Sequence, residues 1–551
     1  MTRFRGLKAL AVAAGGFLAV LACGPTQGEQ GKELAPADQQ ILRFTMVNDI
    51  GDFDPAKISA AADANVMQNV FSGLYKFDHD TKVVPDIADG QPDVSSDGTS
   101  VTIKMKKTAK FSDGTPVKAK DFVYSWNRTA ATQGDYASTF DAIEGYDEVA
   151  DGKTKTMTGL SAPDDYTLKA KLAHPAGYFV SELALWATWV TEQKVVEAAP
   201  GGDLEAGRPQ DLVGTGPFKL VSRTPKASLA FEPVANWWNG STGALKKVTI
   251  DVIEDQGSQT KKYEQGGLDV VGYGDDAPTA EDILRYKAGT HSKELLIKEQ
   301  GRTDWIGFNF ETGPFKGLDA GKDGRKAFSL AVDRNQLVDV ACSKATACKP
   351  ATGGVVSKGL KAYLGDGADS NTKFDASTAK SLYQKWDPDG SKVKGLKYTY
   401  NTANLNKLVA ENLQSQWRSN LGVNIDLEAT DRQSFFKSRT KKTYPIFRHS
   451  WGADYDNPQD WFDFLFKTGA GSSGSGFSDP KFDDQIKKAN AKKLDDAISD
   501  YQAAGKILVS DVAYGGLFYG THRFLIKPYM DGIGTSALYD YPWIEAKVLK
   551  H

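Results

Sequence analysis

Cysteine is scarce. Three in 551 residues are too few for a disulfide scaffold or a multi-cysteine metal cluster. Histidine is scarce as well: the six are scattered, and no His-Glu-x-x-His pair offers a zinc-protease helix. An excess of one charge is missing, since 67 Lys and Arg face 70 Asp and Glu, a net of −3. A dedicated nucleic-acid binder needs a basic footprint, so no nucleic-acid partner is expected. Past residue 22 no apolar run approaches the roughly 20 residues of a membrane-spanning helix. Signatures of nucleotide and acyl chemistry are also lacking. There is no phosphate-loop motif, and the serine-rich Gly471–Gly476 stretch, most simply a mobile loop, does not satisfy the G-x-S-x-G spacing. Leu268 to Gly274 mimics a dinucleotide fingerprint after a strand. There, however, Asp275 and Asp276 follow where amides should cradle a pyrophosphate. No nucleophile with a partnered base can be named, so neither an enzyme nor a cofactor is expected.

What is present points to a large globular chain. Hydrophobic residues make up 40% and charged residues 25%, enough to bury a real core. At roughly 150 residues per domain, the length suggests three or four domains or lobes. The 11 Trp, 21 Tyr and 27 Phe can build cores and can also line ligand pockets.

The N-terminus reads as an address. Arg3, Arg5 and Lys8 precede an uncharged, mostly apolar run from Ala9 to Ala22, the h-region of an export signal. The run ends Val20-Leu21-Ala22-Cys23-Gly24, which resembles a bacterial lipoprotein box. That resemblance implies cleavage before Cys23, lipidation of its thiol and a membrane anchor at the outer face of the cell membrane. A plain secretory signal is the alternative. Residues 23–40, rich in Gly, Gln, Glu, Ala and Pro, read as a flexible tether. Export favours an oxidising compartment, so Cys342 and Cys348, with five residues between them, are expected to close a small disulfide loop. Two buried free thiols are the alternative.

Strands and helices interleave over the whole chain. Strand patterns occur at Ile41–Met46, Ser100–Lys106, Tyr166–Leu172, Phe218–Val221, Val248–Val252, Leu268–Val271, Trp305–Phe310, Leu396–Tyr400 and Val423–Leu427, and a last strand opens at Leu517–Tyr519. Helical spacing covers Ala60–Leu74, the start of Asp121–Arg128, Arg325–Val338, Asn404–Trp417 and most of Asp479–Leu508. The unit from Leu396 to Leu427 has the strand–helix–strand order of a right-handed crossover. The fold class is α/β or α+β.

Several stretches in order resemble one family. They are Asp54-Pro55 before a helix, Phe111-Ser112-Asp113-Gly114-Thr115-Pro116 with Asp121 to Trp126, Gly214-Thr215-Gly216-Pro217-Phe218, Asn236-Trp237-Trp238, and Arg325 to Arg334. Together they resemble the large extracellular solute-binding proteins of ABC importers for peptides and nickel. The resemblance implies an α/β, bilobal periplasmic-binding-protein-like fold (type II, cluster C) with an extra α/β domain inserted in the first lobe. It implies lobe I at 41–71, 205–302 and 521–551, the insertion at 72–204 and lobe II at 303–520, after a signal peptide at 1–22. It also implies a monomer that captures a solute between the lobes and docks on membrane permease subunits.

The Arg448 to Tyr455 stretch, with its Trp-x-Ala-Asp-Tyr core, resembles the oligopeptide-binding subgroup in particular. By that resemblance Asp454 takes the α-amino group of a short peptide. Ser450 and Gly452 on one side and Ser59 and Ala61 on the other hold its backbone, and Trp451 lines a side-chain pocket. Arg448 and Arg439 meet its carboxylate. Plain structural roles remain the alternatives: a turn cap for Asp454, a core position for Trp451, and surface or lobe-tethering roles for the arginines. Arg432 departs from an aromatic position of the subgroup and Gly307 from an acidic one. Other solutes (a nickel complex, haem, an oligosaccharide), a receptor for peptide signals and a secreted hydrolase are the alternative functions.

Overall fold

A computed structural model describes residues 33–204, 207–274 and 276–551. The signal segment and Cys23 lie outside the described residues. The end of the expected tether does not: Ala35 and Gln40 are buried. The Gln40 amide donates to the carbonyls of Ala35 and Val548, so residues 33–40 are clamped to the chain's far end.

Three large hydrophobic cores organise the described residues, with a fourth, small cluster of Tyr263, Leu268, Val271, Tyr286 and Leu525. The first gathers Leu42, Phe44, Phe231, Ile250 and Trp543 around a four-stranded sheet in the order Ile41–Met46, Lys247–Val252, Ser228–Pro233, Phe218–Thr224. Its first pair is parallel and the others antiparallel. The second core is drawn from one continuous stretch, Leu74 to Val190. There the helix Ala119–Thr132 packs Phe122 and Trp126 against a small sheet containing Ser100–Lys104 and Thr167–Lys171. Asp54 staples this unit to the first. Burial alone would raise the Asp54 carboxyl, but Arg128 and the amides of Leu204 and Ala56 hold it below its ordinary value.

The third core lies around a seven-stranded sheet. Within it Lys397–Asn401 runs parallel to both Asp426–Thr430 and Ile446–Gly452, and the helix Asn404–Leu421 supplies the crossover. The molecule is therefore two lobes with an α/β domain inserted in the first.

Two long antiparallel strands, Leu295–Phe308 and Tyr514–Ile526, run from one lobe to the other. Leu296 and Phe524 pack on the first core, whereas Trp305, Leu517 and Phe518 belong to the third. Their register slips between Glu299 and Thr303. A slip lets paired strands twist without breaking the rest of the ladder, which suits the segment where the cores change over.

Several element boundaries differ from the sequence reading. The Ala60 helix stops at Met67. Beyond it the Asn69 and Val70 carbonyls bond to the amides of Phe218 and Gly216, so they leave the helix ladder. The same close approach explains the glycines: a Cβ on Gly214 would lie 1.9 Å from the Val70 oxygen. The Arg325–Val338 helix is two, Lys322–Leu330 and Arg334–Ala341, because Asp333 caps the second by accepting from Asn335 and Gln336. Asp479–Leu508 likewise divides at Ala491 to Lys493. The Gly272–Gly274 turn serves the fold: the Gly274 amide donates to Asp540, not to a phosphate. The Gly471–Gly476 loop is wedged, not loose, with Ser473 and Ser475 buried. Cys342 and Cys348 form a disulfide, Cα atoms 5.4 Å apart.

Candidate ligand-binding site

The strand Ile446–Gly452 pairs along Arg302 to Phe308 on one side. On the other, Lys397–Asn401 pairs with it only at Ile446 and Phe447. Among the described residues no strand covers the edge from His449 to Gly452. That edge leads into Asp454, whose side chain faces a cavity of about 570 Å³. Ser59 comes from the first lobe, Tyr136 and Glu182 from the inserted domain, and Arg432, Trp451 and Ser472 from the second lobe.

Asp454 is held from three directions. The Tyr136 hydroxyl donates to its Oδ1 at 2.9 Å, and the Tyr539 hydroxyl donates to its carbonyl. Its own amide donates to Asp460 Oδ2 at 3.3 Å. Tyr136 and Tyr539 both pack edge-on against Trp186, which fixes the two phenols. The Trp451 indole donates to the same Asp460 oxygen at 3.1 Å, which turns the ring into the cavity wall. Burial pushes the Asp454 carboxyl up to about 7, against the opposing pull of Tyr136 and Asp460. Burial, then Asp454, also pushes Asp460 well above its ordinary range. Two neighbouring carboxyls, both raised, do not ionise together easily, and a positive charge beside them relieves their repulsion. Such a corner is electrostatically ready for a cation.

The remaining expected residues divide. Ser59 reaches the cavity. Ala61 is the first residue of the Ala61–Met67 helix and does not line it. Gly452 is exposed at the strand end, with open space where a side chain would stand. The Ser450 hydroxyl accepts from Arg302 at 3.1 Å. Arg448 is redirected: it lies buried in an ion pair with Asp304 at 2.6 Å, so its charge is answered within the sheet. Arg439 is buried too, yet its Nε and Nη1 have no acceptor. Burial, then Arg448, pushes its pKa down, although a guanidinium stays charged. It stacks 4.7 Å from Phe436, a cavity residue.

Sequence reasoning named Arg432 only as a departure; it lies in the cavity wall, 5.5 Å from the same Phe436 ring. Tyr136, Glu182 and Asp460 were not named. The first two come from a different domain than Asp454, and nothing local in the sequence marks them.

An open strand edge and a half-buried acid, set between two lobes, are the arrangement of a solute-binding protein of the bilobal class. The comparisons agree. The model of the "Bacterial extracellular solute-binding proteins, family 5 Middle" matches residues 82–473. The periplasmic murein peptide-binding protein MppA of Escherichia coli K12 is 28% identical over 507 residues, 90% of each chain. A solved MppA in its unliganded open form superposes with a TM-score of 0.78 at 26% identity, covering 95% of this chain and 99% of that one. Listeria monocytogenes OppA bound to peptide gives 0.74 at 25% identity, covering 93% and 99%. The chain belongs to the bacterial extracellular solute-binding proteins of family 5, the family of the peptide-binding receptors of ABC importers. Its members are extracytoplasmic binding proteins and not enzymes. Among the described residues no helix is long and apolar enough to cross a membrane.

Proposed function

We propose that this protein captures short peptides between its lobes and delivers them to the membrane permease of an ABC importer. The carrying observation is the uncovered edge from His449 to Gly452 running into the Asp454 carboxyl. A peptide adding to that edge gains backbone hydrogen bonds that read no side chain. Its α-ammonium pairs with Asp454, a charge-assisted bond that fixes the register. Ser59 faces it from the first lobe. Its carboxylate is received by the arginines of the Arg432–Thr440 helix: Arg432 at the wall, with Arg439 adding charge behind Phe436. Arg448 tethers the sheet through Asp304.

Closure turns about the register slip between Glu299 and Thr303, with the lobe boundaries at 302/303 and 520/521 and the insertion at 72–204. The mature chain works as a monomer anchored through a lipid on Cys23, beside its permease. Membrane fractionation of Cys23→Ser tests the anchor: release of the protein from membranes supports it, and unchanged membrane attachment counts against it. Calorimetry tests the ligand, with short peptides set against a nickel complex, haem and an oligosaccharide. Micromolar or tighter binding of peptides is expected; tight binding of a non-peptide alone refutes the reading.

A further inference from the structure

A second cavity of about 670 Å³ adjoins the one beside Asp454, and Ser138, Glu182 and Phe464 line both. The inserted domain forms one side of it and the second lobe the other. Its wall carries five carboxylates against two lysines and one histidine. One of those lysines, Lys467, is already paired with Asp463 at 3.3 Å.

Glu182 stands where the two cavities meet. It ends the one-turn helix Phe179–Glu182, and it is 3% exposed. Its Oε2 has no hydrogen-bond partner. Its Oε1 shares the Tyr455 hydroxyl with Gln459, which that hydroxyl approaches more closely. A buried carboxyl left this way costs free energy that a cation in the cavity would recover. Its surroundings deepen the deficit. Burial, then Asp141 across the second cavity, pushes the Glu182 pKa well up, and Asp463 and Asp460 add to it. Asp141 is itself raised to about 6 by burial.

Resting on the peptide reading above, we propose that the site selects peptides with a basic side chain among their first three residues. Glu182 receives the side-chain ammonium or guanidinium, and Asp141 and Asp463 lie behind it. An extended chain starting at Asp454 sends successive side chains to opposite faces, so one of the first positions faces this opening. A norleucine side chain has almost the length of lysine but leaves Glu182 unanswered. A glutamate adds a further acid to a wall that already carries five. Selectivity therefore comes from attraction and from repulsion together.

The test is calorimetry with six tripeptides: Lys-Ala-Ala, Ala-Lys-Ala and Ala-Ala-Lys, and the three with norleucine in place of lysine. Lysine should bind at least about tenfold tighter than norleucine at one position. Glu182→Gln keeps the shape and an acceptor for Tyr455. In that variant the lysine-to-norleucine ratio, read within the variant, should fall to within about threefold. Equal affinities for lysine and norleucine at all three positions overturn the proposal. A ratio that survives Glu182→Gln overturns the role of Glu182. If the variant binds neither kind of peptide, its thermal transition reports whether it is folded, and Glu182→Asp, which keeps the charge, then has to preserve the lysine preference. Failure of all six peptides to bind the wild type overturns the peptide reading itself, and this proposal with it.

Discussion

Asp454→Asn removes the charge proposed to hold the peptide's α-ammonium and keeps an acceptor for the Tyr136 hydroxyl. Removing one partner of a fully buried pair costs roughly 3–5 kcal/mol. The cleft is partly open to water, so about 2 kcal/mol is expected, about 30-fold in Kd. The pH profile is more diagnostic. Asp454 titrates near pH 7 when no ligand is bound, and only the ionised form attracts an ammonium. Wild-type affinity should therefore fall about tenfold per unit below about pH 6. It should fall again above about pH 8, where the free α-amino group loses its proton. The optimum lies between those limits, and the variant should lose the acid limb. Ligand-free stability moves the other way. A carboxyl raised on folding takes up a proton, so its cost is absent below about pH 4 and complete above about pH 7. The variant should then melt above the wild type at pH 8, a gap that closes towards pH 4. Calorimetry at fixed ionic strength and scanning calorimetry without ligand read both effects. Equal affinity of variant and wild type, or a flat wild-type profile from pH 5 to 8, would refute the reasoning.

Three further outcomes are expected. Arg432→Gln should weaken binding of peptides with a free carboxylate by about tenfold and leave C-amidated peptides unaffected, because a guanidinium beside a carboxylate is worth more than an amide; titration of both peptide forms reads the difference. Cys342→Ser should cost about 2 kcal/mol, the chain entropy of a short closed loop, measured by denaturant unfolding against the oxidised wild type. Gly214→Ala should prevent normal folding, since its Cβ would fall 1.9 Å from the Val70 carbonyl oxygen; loss of the cooperative thermal transition is the readout.

The local code was legible where one element decides its own shape. Ile41–Met46 and the crossover from Lys397 to Thr430 follow their apolar spacing. It was not legible where distant segments intervene. The Ala61–Met67 helix ends early because Gly216 and Phe218 take its next carbonyls, a contact spanning about 150 residues of sequence. The family-like stretch from Arg325 to Arg334 proved to be scaffold: Arg325 donates to the carbonyls of Phe315, Leu318 and Val512, and Arg334 to those of Gly516 and Thr372. The same limit applies at the site. Trp451 and Asp454 could be named because one short stretch carries them. Tyr136 and Glu182 could not, because they arrive from the inserted domain. The Asp304 partner of Arg448 lies 144 residues away, so its ion pair could not be foreseen from the arginine's own surroundings.

The most direct measurement is the melting temperature of the chain from residue 24 onward, unfolded and refolded to strip bound ligand, with a pool of two- to six-residue peptides. The same pool is then run after N-acetylation. A ligand that binds only the folded state raises the transition. A rise with free peptides that acetylation abolishes is the predicted result, since it places the α-ammonium at Asp454. No rise with either pool, or an equal rise with both, would contradict a peptide site anchored on that carboxylate.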